Sequence, residues 1–148
     1  MVLVYLATDH RGFALKQKLK AWLEKRGYQV KDFGNLVFDA DDDYPDFAKK
    51  LAKSLSDNPQ SRGLVLCGSG IGVDIVVNRF DRVRCGLGFD KKQVYHGRAL
   101  DDINCLALPA DFVNFNQAKK LVKVFLETQF SGQERHKRRL EKIEKISN

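Results

Sequence analysis

The chain has 148 residues and a formal net charge of +7, with 43% hydrophobic and 30% charged residues. That balance suits one globular domain with a well-buried core, and no apolar run approaches the roughly 20 residues of a membrane span. The opening MVLVYLATDHRG has neither the basic start nor the cleavage site of a secretory signal, so a cytoplasmic protein is expected.

Residues 2–7 form an apolar run of strand length. Apolar positions 13, 15, 19, 22 and 23 then carry helical spacing, and Gly27 ends that helix. Residues 28–33 read as a second strand. The segment NLVFDADDDYPDF is a loop whose Pro45 opens a helix over about 46–56. A third strand at 64–67 is followed by a helix at 73–80, a fourth strand at 83–88 and a helix at 91–100. A fifth strand at 104–108, an amphipathic helix at 117–130 and a final helix from 135 to about 143 complete the chain. Strands and helices alternate, and the strands lack period-two patterning. This predicts an α/β three-layer sandwich of Rossmann type, with a five-stranded parallel sheet, in a single domain over 1–148. With strand order 2-1-3-4-5, the loops after strands one and three meet at the switch point, where such sheets bind ligands.

Those two loops read ATDHRG and LCGSGIG. Gly68, Gly70 and Gly72 permit positive φ and close approach to backbone. With the helix start that follows, they make either a phosphate site or an oxyanion hole. The three cysteines are too widely spaced for a metal motif or a disulfide framework. Cys85 and Cys105 read as inert core residues. Cys67, at a strand end facing a helix start, is either inert as well or a thiolate base or nucleophile. Asp9 and His10 are either a turn with its helix cap or a catalytic pair. Arg135, Lys137, Arg138, Arg139, Lys142 and Lys145 crowd the C-terminus, partly offset by Glu141 and Glu144. They form a solvated helical face, a nucleic-acid contact or a grip on a small phosphorylated ligand.

In order along the chain, ATDHRGFALKQKL, DYPDFA, GLVLCGSGIGVDIVVNRF and RHKRRLEKI resemble successive motifs of the ribose-5-phosphate isomerase B family. The wider group includes galactose-6-phosphate isomerase subunits. The resemblance implies a flavodoxin-like fold with a C-terminal helix and a homodimer, or a dimer of dimers, with sites at the subunit interface. It implies no metal and no organic cofactor. The implied reaction is aldose–ketose isomerisation of a sugar phosphate, first of all ribose 5-phosphate to ribulose 5-phosphate, with galactose 6-phosphate or allose 6-phosphate as alternatives. By resemblance Cys67 is the base and Ser69 assists proton transfer. Asp9 and His10 meet the sugar and phosphate, with Asp9 on the catalytic side. Tyr44 belongs to the DYP motif, Gly68, Gly70 and Gly72 steady the enediolate, and Arg135 and Arg139 bind phosphate. These arginines lie four apart, on one helix face.

Three positions depart from the pattern. Leu100 stands where the family has a ring-opening histidine, and Asp101 replaces an asparagine. Asp111 lies where an arginine tends to follow strand five; its carboxylate would repel a phosphate unless it points away or pairs with a base. His96, one turn before Leu100, is a candidate substitute, and Asp74 a candidate alternative base. Three readings therefore stand side by side: an isomerase, a phosphosugar-binding relative without turnover, and a nucleic-acid binder resting on the basic tail. The last has no recognition motif and no aromatic residues among the tail's charges.

Overall fold

A computed structural model describes residues 1–146; Ser147 and Asn148, the end of the expected 1–148 domain, lie outside the described residues. The strands are β1 (Val4–Thr8), β2 (Val30–Asp32), β3 (Arg62–Cys67), β4 (Cys85–Leu87) and β5 (Cys105–Pro109). The helices are α1 (Phe13–Lys25), α2 (Tyr44–Asp57), α3 (Ile71–Val77), α4 (Lys91–Asp101), α5 (Phe115–Glu127) and α6 (Glu134–Glu144), with a short 3-10 turn at His10–Gly12. Local chemistry sets the helix ends. The Asp90 side chain accepts from the N–H groups of Lys92 and Gln93 to start α4, and Asn114 and Gln117 form a reciprocal capping box on α5. Gly27, at φ 88°, closes α1 in the left-handed conformation.

All strand pairs are parallel, as the sequence predicts. Alternation along each strand divides the core in two. Leu64, Leu66, Leu106 and Leu108 face α1, α4 and α5, where they meet Leu19, Val94, Val122 and Phe125. Val65, Cys67, Cys105 and Ala107 face α2 and α3, where the smaller Ala48, Ala52, Val73 and Val77 cover them.

The order is β2-β1-β3-β5-β4, which corrects the expected 2-1-3-4-5. Burial explains the exchange of the last two strands. Every residue of β5, CLALP, is buried, so that strand takes a place with neighbours on both sides. The three half-buried residues of β4 suffice for an edge. Handedness agrees: a right-handed crossover from β4 back to an inner β5 lays α4 on the face of α1 and α5, where Val94 packs.

Gly12 sits where α1 leaves the sheet. A Cβ there would collide with the Thr8 hydroxyl and lie 2.7 Å from Leu66 Cβ. Gly12→Ala is therefore expected to cost about 1–3 kcal/mol by overpacking. Urea denaturation checks this; a wild-type midpoint would show that the junction yields freely.

Candidate active site

Register aligns the ends of three strands. Thr8 pairs with Leu66, Leu66 with Leu108, and Cys67 with Pro109. The loops after β1, β3 and β5 thus lie side by side, and the Asp111 N–H donates to the Gly68 carbonyl at 3.0 Å. Between them opens a cleft of about 510 Å³, within the range of small-molecule sites (~300–1,000 Å³). Cys67, Gly68, Ser69 and Gly72 come from the β3 loop, Asp9 and Arg11 from the β1 loop, with Tyr44 and Asp111 closing the sides.

Cys67 is 5% exposed, and its Sγ accepts the Gly70 N–H at 3.2 Å. The Ser69 hydroxyl oxygen accepts from the Ile71 N–H at 3.1 Å, leaving its own proton free to donate into the cleft. Gly70 has φ 73°, and a Cβ there would lie 2.6 Å from Leu87; backbone and space both demand glycine. Gly68 and Gly72 are needed for close approach instead: Asp111 Oδ2 would lie 2.7 Å from a Cβ on Gly68, and the Tyr44 ring 2.6 Å from one on Gly72.

Asp9 is 5% exposed and caps the 3-10 turn by accepting the Arg11 N–H at 2.9 Å. Burial raises its pKa against the opposing pull of that hydrogen bond. His10 turns aside from the cleft lining. Its Nδ1 lies 2.6 Å from Asp42 Oδ1, and its N–H donates to the same oxygen at 2.9 Å. Asn35 Nδ2 donates to the other oxygen of Asp42 at 2.9 Å. The hydrogen bond that His10 makes to the Asp42 carboxylate is the main cause that raises the His10 pKa. Ligand atoms of Asp9, His10 and Asp42 lie within 4.8 Å of one another, the spacing of a metal site, but all three residues already serve these hydrogen bonds.

One chain does not bring the remaining expected residues to this cleft. Asp101, Arg135 and Arg139 gather instead around His136, where α6 packs on α4. His136 is 3% exposed; it accepts from Arg135 Nε at 3.3 Å and meets the Ser131 hydroxyl at 2.5 Å. Burial, then the charges of Arg135 and Arg139, lower its pKa against the pull of Asp101. Asp101 and His96 also line a second cavity of about 660 Å³ beside β4. Asp74 is committed to Asn78 Nδ2 at 3.0 Å and lies outside the cleft lining. Cys85 and Cys105 are free thiols on paired strands, and burial pushes the Cys85 thiol up, as suits an inert role.

Two residues escaped the sequence reading. Asp42 is one acid in a run of them, and nothing in the run marks it as the partner of His10. Arg11 holds Asp111 through both of that residue's carboxylate oxygens, so the acid that seemed hostile to phosphate is paired with a base.

A doubly wound parallel sheet with a thiol, a hydroxyl and a carboxylate at its switch point defines a flavodoxin-like small-molecule enzyme fold. A sequence model described as Ribose/Galactose Isomerase matches residues 4–143, and the chain belongs to that family. It is 39% identical to the probable ribose-5-phosphate isomerase B of Mycoplasma pneumoniae, over 95% of this chain and 91% of that one. Against the ribose-5-phosphate isomerase B of Mycolicibacterium paratuberculosis the identity is 36%, over 93% and 87%. Ribose-5-phosphate isomerase B of Mycoplasma genitalium, solved with bound ribulose 5-phosphate, superposes with a TM-score of 0.93 at 35% identity, covering 97% of this chain and 94% of that one. The Thermotoga maritima ribose 5-phosphate isomerase gives 0.92 at 36%, over 98% and 99%.

Because folded His10 holds its proton more tightly than the unfolded chain, the pair's contribution to stability is complete below about pH 6.5, the ordinary imidazole value, for as long as Asp42 stays ionised, and fades as pH rises past the folded value. Asp42→Asn is expected to lower the His10 pKa, read by NMR titration of the ring. An unchanged titration would show that Asp42 does not hold the proton.

Proposed function

We propose that this chain interconverts ribose 5-phosphate and ribulose 5-phosphate through an enediolate, with Cys67 as the base. The observation that carries the mechanism is the nearly buried Cys67 sulfur with the Gly70 N–H directed at it, beside a free Ser69 hydroxyl proton. Sulfur removes the proton from C2 of the open-chain aldose, and the C–H electrons form the C1–C2 double bond as the carbonyl electrons move onto O1. The same sulfur returns the proton to C1. Net conversion also moves a proton from O2 to O1, which Ser69 and the protonatable Asp9 relay. Tyr44, Gly68, Gly70 and Gly72 wall the reacting end. The Mycoplasma genitalium relative, with ribulose 5-phosphate bound, supports this choice of substrate.

The two residue clusters fit a homodimer in which Arg135, Arg139 and Asp101 of one subunit meet the phosphate and sugar at the other subunit's cleft, beside that cleft's own His10. Exposed Ile71 and Ile75 at the cleft rim suit such an interface. Among the described residues no helix is long and apolar enough to cross a membrane. The proposed setting is the cytoplasm, with the sugar phosphate as the only small-molecule partner, no nucleic acid and no cofactor.

Cys67→Ala is expected to lower kcat by about 100-fold or more while the chain stays folded, since a general base is lost from a small site. Near wild-type turnover in a coupled isomerase assay would remove Cys67 from the role. Shared sites make a second demand. Cys67→Ala chains mixed and reassembled with Arg135→Ala/Arg139→Ala chains are expected to regain about a quarter of wild-type activity, because half the dimers are hybrids with one intact site. No recovery after verified subunit exchange would mean that each chain works alone.

A further inference from the structure

Among the described residues Arg11 is the one cation lining the cleft, and the reaction does not otherwise employ it. Its guanidinium lies over Gly68, with Nε 3.2 Å from where a Cβ would stand. Asp111 holds it in a fork: Nε donates to Oδ1 at 3.3 Å and Nη2 to Oδ2. A guanidinium has five N–H donors, so this clamp leaves three. The clamp also fixes their direction before any ligand arrives, which lowers the ordering cost of binding. Depth separates the two ends of the site. The Cys67 sulfur lies at the floor at 5% exposure, whereas the Arg11 side chain is 56% exposed and that of Asp111 34%. The reacting carbons must reach the floor, so the mouth receives the substrate's far end.

We propose that Arg11, held by Asp111, binds the phosphate of the sugar phosphate, and that Asp111 is its positioning residue. The proposal rests on the isomerase reading above. It places one phosphate contact within the chain that supplies the base, separate from the cations of α6. The rival role for Arg11 is neutralisation: it would exist only to silence a carboxylate beside an anion site.

The experiment measures KM and kcat for ribose 5-phosphate, and competitive inhibition by inorganic phosphate, in wild type, Arg11→Ala, Asp111→Asn and the double variant Arg11→Ala/Asp111→Ala. Arg11→Ala is expected to raise KM and the phosphate inhibition constant together by about tenfold or more, the scale of a charged hydrogen bond, with kcat within about twofold. Asp111→Asn keeps the cation but loosens the clamp, and is expected to raise both constants by a smaller factor. The double variant decides between the roles. It is expected to stay about tenfold weaker than wild type, because the ligand is gone even though the repelling carboxylate is gone too. A double variant with wild-type constants would overturn the proposal in favour of neutralisation. A fall in kcat with unchanged KM and phosphate inhibition would also overturn it, by placing Arg11 at the reacting oxygens. Neither side chain is buried, and thermal melting confirms the fold of each variant. If the wild type turned over no ribose 5-phosphate, the isomerase reading would fail by itself; calorimetry of phosphate binding to wild type and Arg11→Ala would still decide the role of Arg11.

Discussion

The pairing of β5 against β3 is the constraint on which the site depends. It brings Pro109 level with Cys67 and turns the chain so that Asp111 bonds the Gly68 carbonyl. With β4 in that place, the segment after Leu87 would flank the thiol, and Asp111 would lie one strand further from Arg11. The apolar sequence of β5 secures the arrangement, since five buried residues cannot sit at an edge without exposing side chains and backbone groups together. Hydrophobic burial thus selects the neighbours of the proposed catalytic sulfur, although none of the residues that drive it touches the cleft.

A second constraint runs through polar groups. Lys16 is completely buried, with its Nζ 2.7 Å from Asp32 and 2.6 Å from the Asn35 carbonyl. Burial lowers its pKa, against the pull of Asp32. Asn35 passes the connection to Asp42, and Asp42 to His10. A charge inside α1 is thereby linked through the loop after β2 to the turn after β1. Such a chain adds little net stability, because desolvation offsets much of the attraction. Its effect is on geometry: among the described residues no buried side-chain nitrogen or oxygen lacks a partner, so displacing one member strands another. His10 is held by this chain rather than by packing, and Phe38, its edge-on aromatic neighbour, is itself largely exposed.

What could be read from the sequence follows from where the information lies. Helical periodicity located α1, α2, α4 and α5 to within a few residues, because each buries a stripe of its own side chains. The helix expected at 73–80 begins earlier and ends at Val77. Asn78 leaves it to bridge Cys85, accepting that residue's N–H at 2.8 Å and donating to its carbonyl at 3.0 Å. Periodicity does not carry such a side-chain bridge. Strand neighbours were misread because short apolar strands look alike, and only crossover handedness and relative burial distinguish an inner strand from an edge. The motif at Cys67 was legible because its glycines are demanded locally, at Gly70 by a positive φ. Arg11 and Asp111 stand 100 residues apart, and only the true strand order makes them neighbours.

The near burial of Cys67 has a consequence outside sugar chemistry. A sulfur acting as the proposed base would also be open to oxidation or alkylation, since a thiolate is the reactive form in both cases. At 5% exposure, beneath a loop that Arg11, Asp111 and Tyr44 press from above, it is screened by size rather than by charge. A molecule as small as peroxide would be obstructed there less than a glutathione disulfide. Damage to this thiol would therefore pass through sulfenic acid rather than mixed disulfide, and a sugar phosphate bound as proposed would protect the sulfur by filling the mouth.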